Sequence, residues 1–158
     1  MRMPRRRRIE AKTDYKARLA LLKSGKPRLV VRKTNRYIIA QIVTSEDAQD
    51  KVVVGITSKI LLTKGLSEES AGSLKSLGAA YLTGFLLGKK ALSMGIKEAI
   101  LDAGMYINIQ NSRIYAALKG VADSGLKVPF NDKVFTQMES IKSGKIAKIF
   151  DKVVKENK

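Results

Sequence analysis

Apolar positions settle into a helical rhythm from Ile9 on, with Tyr15, Leu19 and Leu22 spaced i, i+4 and i+7. Thr13-Asp14 supplies an N-cap ahead of them, and Ser24-Gly25-Lys26-Pro27 closes the segment. Glycine suits the C′ position and proline cannot continue a helix. The period then changes. Residues 28–33, 36–44 (RYIIAQIVT) and 51–57 (KVVVGIT) are rich in β-branched side chains and read as three strands. Thr34-Asn35 forms a short hairpin turn between the first two, and 45–50 is a polar loop before the third. Connections this short imply an antiparallel meander.

A long helix is predicted over 67–93, with Ser67 as N-cap and Glu68 and Glu69 in its first turn. Leu74, Leu77, Tyr81, Leu82, Phe85 and Leu92 give it a wide apolar surface, so it should be largely buried. Gly84 and Gly88, four apart, suit close packing of this helix on the sheet, and Gly95 stops it. Residues 96–102 (IKEAILD) read as a strand entered from a helix and therefore parallel to a neighbour. A loop over 103–111 leads to a helix over 112–124, with Ile114, Ala117, Leu118, Val121 and Ala122 on one face and Gly125 at C′. Residues 127–129 suit a short edge strand, and 133–141 and 145–155 suit two small helices. There is no internal repeat. The order implies an α/β fold of three α/β/α layers, with a mixed sheet and helices on both faces. Three parts follow: a basic N-terminal arm and helix over 1–27, an α/β domain over 28–129, and a C-terminal helical extension over 130–158.

At 158 residues and 44% apolar, the chain can build one real core and is too apolar for general disorder. It has neither Cys nor His. That removes disulfides, thiolate and histidine metal sites, cysteine nucleophiles and Ser-His-Asp triads together. No apolar h-region follows the Arg5–Arg8 run, and the most apolar stretch, 77–87, falls short of the ~20 residues a bilayer span needs. The expectation is a soluble, cytoplasmic protein.

Charge changes the picture most. Lys and Arg outnumber Asp and Glu by 31 to 14, for a net +17. The first 36 residues hold 14 of those cations against Glu10 and Asp14 alone, a net +12. Such concentration points to a polyanion, nucleic acid first, because each neutralised phosphate releases condensed counterions. Residues 1–8 (MRMPRRRR) read as an arm that is disordered until it meets RNA. Arg28, Arg32, Lys33, Arg36 and Tyr37 gather where the first strand turns into the second. Thr34, Asn35 and Gln41 add groups able to reach phosphate, 2′-hydroxyl or base edges. Tyr37 suits stacking on a base or packing on a half-exposed sheet. Lys75, Lys97, Lys119 and most C-terminal lysines read as a solvated face.

Catalytic readings fare worse. Residues 84–90 (GFLLGKK) are too short between glycines for a phosphate-binding loop, lack the Ser or Thr after Lys and sit inside a helix. A meander followed by αβα is also the order of ribonuclease-H-like nucleases, which need clustered carboxylates for two metals. Neither of the first two strands carries an acid. Asp102, at the end of a later strand, reads as a loop-capping or arginine-pairing carboxylate.

The block 5–43, RRRRIEAKTDYKARLALLKSGKPRLVVRKTNRYIIAQIV, closely resembles the archaeal form of the universal eighteenth large-subunit ribosomal protein family. Later segments agree: AYLTG (80–84), EAILDAG (98–104) and SRIYAALKGVADSG (112–125) followed by Leu126, Val128 and Pro129. The resemblance implies a non-catalytic α/β/α domain similar to the ribonuclease-H-like class, without cofactor or metal. It also implies binding to 5S rRNA in the central protuberance, with a basic arm threading between 5S and large-subunit rRNA. The fifth large-subunit ribosomal protein and other central-protuberance proteins are implied as partners, with no membrane and no small-molecule substrate. Carried onto matching positions, the implied RNA contacts are Arg5, Arg6, Arg7, Arg8, Lys12, Tyr15, Arg18, Lys23, Lys26, Arg28, Arg32, Lys33, Asn35, Arg36, Tyr37, Gln41 and Arg113. Two departures stand out. Loop 105–111 (MYINIQN) lacks the Pro/Gly-rich character of archaeal members, and the C-terminal tail is basic where some relatives are acidic. The rival reading is a non-specific basic nucleic-acid-binding protein.

Overall fold

In the computed structural model, the described residues are 6–10, 12–47, 49–131, 135, 138–142 and 146–156. A single helical turn, α1 (Arg6–Ile9), precedes α2 (Tyr15–Lys23). Part of the segment expected to be disordered, 1–8, is therefore helical, and residues 1–5 lie outside the described residues. Asp14 caps α2, its carboxylate accepting from the Lys16 and Ala17 amides at 2.9 and 3.2 Å. Gly25 takes the expected left-handed C′ conformation at φ +64°.

Strands β1 (Arg28–Lys33), β2 (Ile38–Glu46) and β3 (Gln49–Thr57) form the antiparallel meander. The polar loop read at 45–50 is shorter than expected, because both strands run on until Ser45 pairs with Asp50 and Glu46 with Gln49. The strand read at 96–102 contracts to β4 (Ile100–Asp102), parallel to β1, and gives the sheet order β3-β2-β1-β4. The edge strand read at 127–129 amounts to one bridge between Glu98 and Lys127.

A short helix that the pattern did not suggest, α3 (Ile60–Thr63), follows the meander. The long helix read at 67–93 is divided. Residues Glu68–Lys75 wind as a 3-10 segment, and α4 (Leu77–Ser93) starts afresh at Ser76, whose hydroxyl accepts from the Ala79 amide at 3.3 Å. Ser67 makes no capping bond to the helix. Helix α5 (Arg113–Asp123) ends at Ser124-Gly125 as expected, with Gly125 at φ +100°. The C-terminal elements are α6 (Met138–Ile141) and α7 (Ala147–Glu156).

Side chains alternate across the sheet and separate its two jobs. Leu29, Val31, Ile38, Ala40, Ile42, Val54 and Ile56 point to one face and pack under α4 and α5. Ile146, Ile149, Phe150 and Val153 bring α7 into the same core. Gly84 and Gly120 let α4 and α5 cross with backbones touching: a Cβ on Gly84 would strike the Ala117 carbonyl, and one on Gly120 the Tyr81 carbonyl. The glycine pair therefore serves helix–helix packing, where helix–sheet packing was expected; Gly88 faces Ser124 in the same way. On the opposite face Arg28, Arg32 and Gln41 lie beneath α2 and open solvent.

Candidate nucleic-acid interface

The β1–β2 connection is built by one hydroxyl. Thr34 Oγ1 donates to the Tyr37 carbonyl at 2.9 Å and accepts from the Tyr37 and Arg36 amides at 2.9 and 3.3 Å, while the Thr34 amide bonds the same carbonyl at 2.8 Å. The turn spans residues 34–37 rather than two residues, and it holds Asn35 and Arg36 exposed at its tip. Tyr37 itself is half-buried against the edge of the core, with the Lys59 ammonium 4.8 Å from its ring centroid. The ring packs in part against the core and in part stays open to solvent. Gln41 lies mid-strand on the outer face, flat against Gly55, where a Cβ would come 3.3 Å from Gln41 Cγ.

Away from this turn, along β1, a chain of ion pairs crosses the sheet. Arg28, only 3% exposed, donates from Nη1 to Asp102 at 2.9 Å, and from Nη2 to Asp50 at 2.6 Å and Ser45 Oγ at 3.0 Å. Asp102 also accepts from Arg32 Nη2 at 2.8 Å and from the Gly104 amide at 2.9 Å. Arg32 Nη1 bonds the Asp102 and Val31 carbonyls. Gly104, at φ +66°, leaves the room that the Arg32 guanidinium occupies. At the far end Arg18 of α2 reaches Asp50 at 3.0 Å. The sequence Arg18–Asp50–Arg28–Asp102–Arg32 ties α2, β3, β1 and β4 together. Burial pushes the Asp50 carboxyl up, but the Ser45 hydroxyl and the Arg18 and Arg28 guanidiniums outweigh it and hold the group at about 2.

Arg28, expected among the RNA contacts, is placed by this network as a buried internal strut. The reason is register: Arg28 points to the outer face between β2 and β4, where Asp102 and Asp50 converge. The same network settles Asp102, which pairs with two arginines and caps its loop. Among the described residues no three acids come together to hold a metal.

The remaining expected contacts fall into two groups. Arg32 keeps 35% of its side chain exposed, and Lys33, Asn35, Arg36 and Lys23 are exposed. Arg36, Lys23 and Arg113 have no carboxylate partner among the described residues. Other cations are locally balanced: Arg6 and Lys12 share Glu10 at 2.7 Å each, and Lys26 pairs with Glu98 at 2.8 Å. Those two cations keep the exposed Glu10 carboxyl below its usual range, Lys12 most. Arg7 donates to Thr13 Oγ1 at 2.9 Å. The Arg8 side chain and all of Arg5 lie outside the described residues. On α2, Tyr15 and Leu22 turn inward, but Leu19 is 55% exposed and Arg18 takes its place. An apolar stripe was expected; the body offers Asp50 instead.

Arg7, Lys12, Arg18 and Arg32 line one cleft of about 580 Å³ between α2 and the loop after β4, facing Tyr106 and Tyr115. The basic residues of arm, helix and strand therefore converge on one side. Arg113, at the start of α5, lines a neighbouring cleft together with Lys33. Sequence reasoning missed Asp50, Ser45 and Tyr106. Only knowledge of the Ser45–Asp50 pairing would have placed the first two. Tyr106 Oη donates to the Lys33 carbonyl at 2.8 Å, and the Lys33 ammonium lies 5.3 Å from its ring.

The family described as ribosomal large subunit proteins 60S L5 and 50S L18 matches residues 1–99. The large ribosomal subunit protein uL18 of Korarchaeum cryptofilum is 46% identical over 151 residues, covering 96% of this chain and 75% of that protein. That of Methanoculleus marisnigri is 47% identical over 145 residues, covering 92% and 81%.

Proposed function

The chain belongs to the family of ribosomal large-subunit proteins 60S L5 and 50S L18, and from that premise we propose that it binds 5S rRNA and attaches it to large-subunit rRNA in the central protuberance. Membership makes it a structural, non-catalytic constituent of the large ribosomal subunit. The finer reading is supported by one observation above others. Lys33, Asn35 and Arg36 are exposed at a turn closed by the Thr34 hydroxyl, and Arg32, on β1 beside it, is held by Asp102 with a third of its side chain exposed.

Phosphate contacts from this face and from the arm supply affinity. Each phosphate neutralised contributes roughly −0.7 to −0.9 to the log–log salt slope. Shape supplies specificity, because the A-form major groove is closed to side chains. A turn that does not yield on contact can select a bulge or loop of fixed geometry, while the arm follows a groove between two RNAs. The fifth large-subunit ribosomal protein would then share the same RNA.

The test is a titration of the protein on 5S rRNA at moderate salt with excess transfer RNA and duplex DNA. Binding that survives the competitors supports the reading. Equal displacement by all three sinks it in favour of non-specific nucleic-acid binding. Deleting residues 1–8 should then weaken incorporation into large subunits more than it weakens folding.

A further inference from the structure

A second cleft, of about 520 Å³, opens between the loop after β4 and the first residues of α4 and α5. Leu77 and Ile114 form its floor, and Met105, Ile107 and Ile109 its wall. Those three wall side chains are 53%, 82% and 61% exposed. Three large aliphatic groups left in water within five residues mark a contact surface. The wall is held in place: Tyr106 Oη donates to the Lys33 carbonyl at 2.8 Å, which ties the loop to the end of β1.

The rim decides what the cleft takes. Lys33 and Arg113 line it, Asn111 and Ser112 add an amide and a hydroxyl, and no carboxylate lines it among the described residues. Its occupant must join a flat or apolar body to negative charge. An unstacked nucleotide does both, with a π-face for the aliphatic wall and a phosphate for the cations. The volume is that of a single small-ligand site. Lys33 also leads directly into the exposed turn at 34–37, so the cleft continues the basic face.

We propose that this cleft receives one unstacked nucleotide of ribosomal RNA, its base against Ile107, Ile109 and the Leu77–Ile114 floor and its phosphate at Lys33 and Arg113. The inference rests on the rRNA-binding reading above and adds a contact of a different kind. Aliphatic packing on a base neutralises no phosphate, so it adds affinity without adding salt dependence.

That difference supplies the experiment. The Ile107→Ser/Ile109→Ser double variant changes two exposed side chains, so thermal melting should match the wild type. Both proteins are titrated with 5S rRNA and, separately, with a large-subunit rRNA transcript over a range of salt. The expected result is an affinity lower by about tenfold or more for one of the two RNAs, with an unchanged log–log salt slope. Lys33→Gln/Arg113→Gln should instead make the slope shallower. Unchanged affinity for both RNAs overturns the proposal. Unchanged affinity together with poor incorporation into large subunits also overturns it and assigns the cleft to a protein partner. Failure of the wild type to prefer either rRNA over transfer RNA defeats the parent reading, and it is read without reference to the variant.

Discussion

Asp102→Asn isolates what the buried ion pairs do. In the wild type Oδ1 accepts from Arg32 and from the Gly104 amide, and Oδ2 accepts from Arg28. Asparagine offers one oxygen. Its best placement keeps the two bonds at Oδ1 and turns the amide NH2 toward Arg28 Nη1, donor against donor. Arg28 is 3% exposed and cannot recover the loss from water. Removing one partner of a buried pair typically costs 3–5 kcal/mol, but here Asp50 remains at 2.6 Å, so about 2–3 kcal/mol is expected. In a chain of this size that is a melting temperature lower by about 5–10 °C. Urea unfolding followed by circular dichroism should show a lower midpoint with an unchanged slope, the mark of lost stability rather than an altered unfolded state. Glu98→Gln, at the exposed Lys26 pair, is the control and should cost under about 0.5 kcal/mol. A loss for Asp102→Asn as small as the control's would refute the reasoning, because Asp50 alone would then suffice to neutralise Arg28.

Gly84→Ala or Gly120→Ala should destabilise by about 3 kcal/mol or more, checked by the same unfolding curve, because each methyl meets a backbone carbonyl that cannot yield locally. Acid should reveal Asp50: its carboxyl is held at about 2, below its value in the unfolded chain, so its contribution is complete above pH 4 and vanishes as pH falls through about 2. Stability of the wild type should therefore drop more steeply across that window than stability of Asp50→Asn. Arg36→Gln should leave melting unchanged and reduce the salt slope of rRNA binding by about one. Arg28→Gln should do the reverse, lowering the melting temperature with little change in slope.

Much of the fold was legible because local chemistry and tertiary need agree. β1 lies within the boundaries expected from its apolar run, and the C′ glycines 25, 95 and 125 all adopt positive φ. The readings that changed are those in which a distant partner decided the outcome. Leu19 lost its inward position to Arg18 because Asp50, thirty-two residues on, offers a carboxylate. The long helix broke at Ser76 because that hydroxyl, not Ser67, meets an open amide. Arg28 looked like a surface cation because nothing in its own neighbourhood announces Asp102, seventy-four positions later. Composition reports that a segment is basic; it does not report which of its charges already have partners.

That seventy-four-residue separation also bears on how the protein is made. Arg18, Arg28 and Asp50 leave the ribosome together, and the three-strand meander can pair while α4 is still being synthesised. Until β4 arrives, Arg28 and Arg32 both lack Asp102, which among the described residues is the carboxylate paired with Arg32. An unfinished chain therefore presents more unsatisfied arginine than the mature protein does, in a compartment crowded with RNA. Docking of three residues, Ile100–Asp102, brings Asp102 to both groups. Pairing of the short edge strand thus brings Arg28 and Arg32 a carboxylate that the meander alone does not contain.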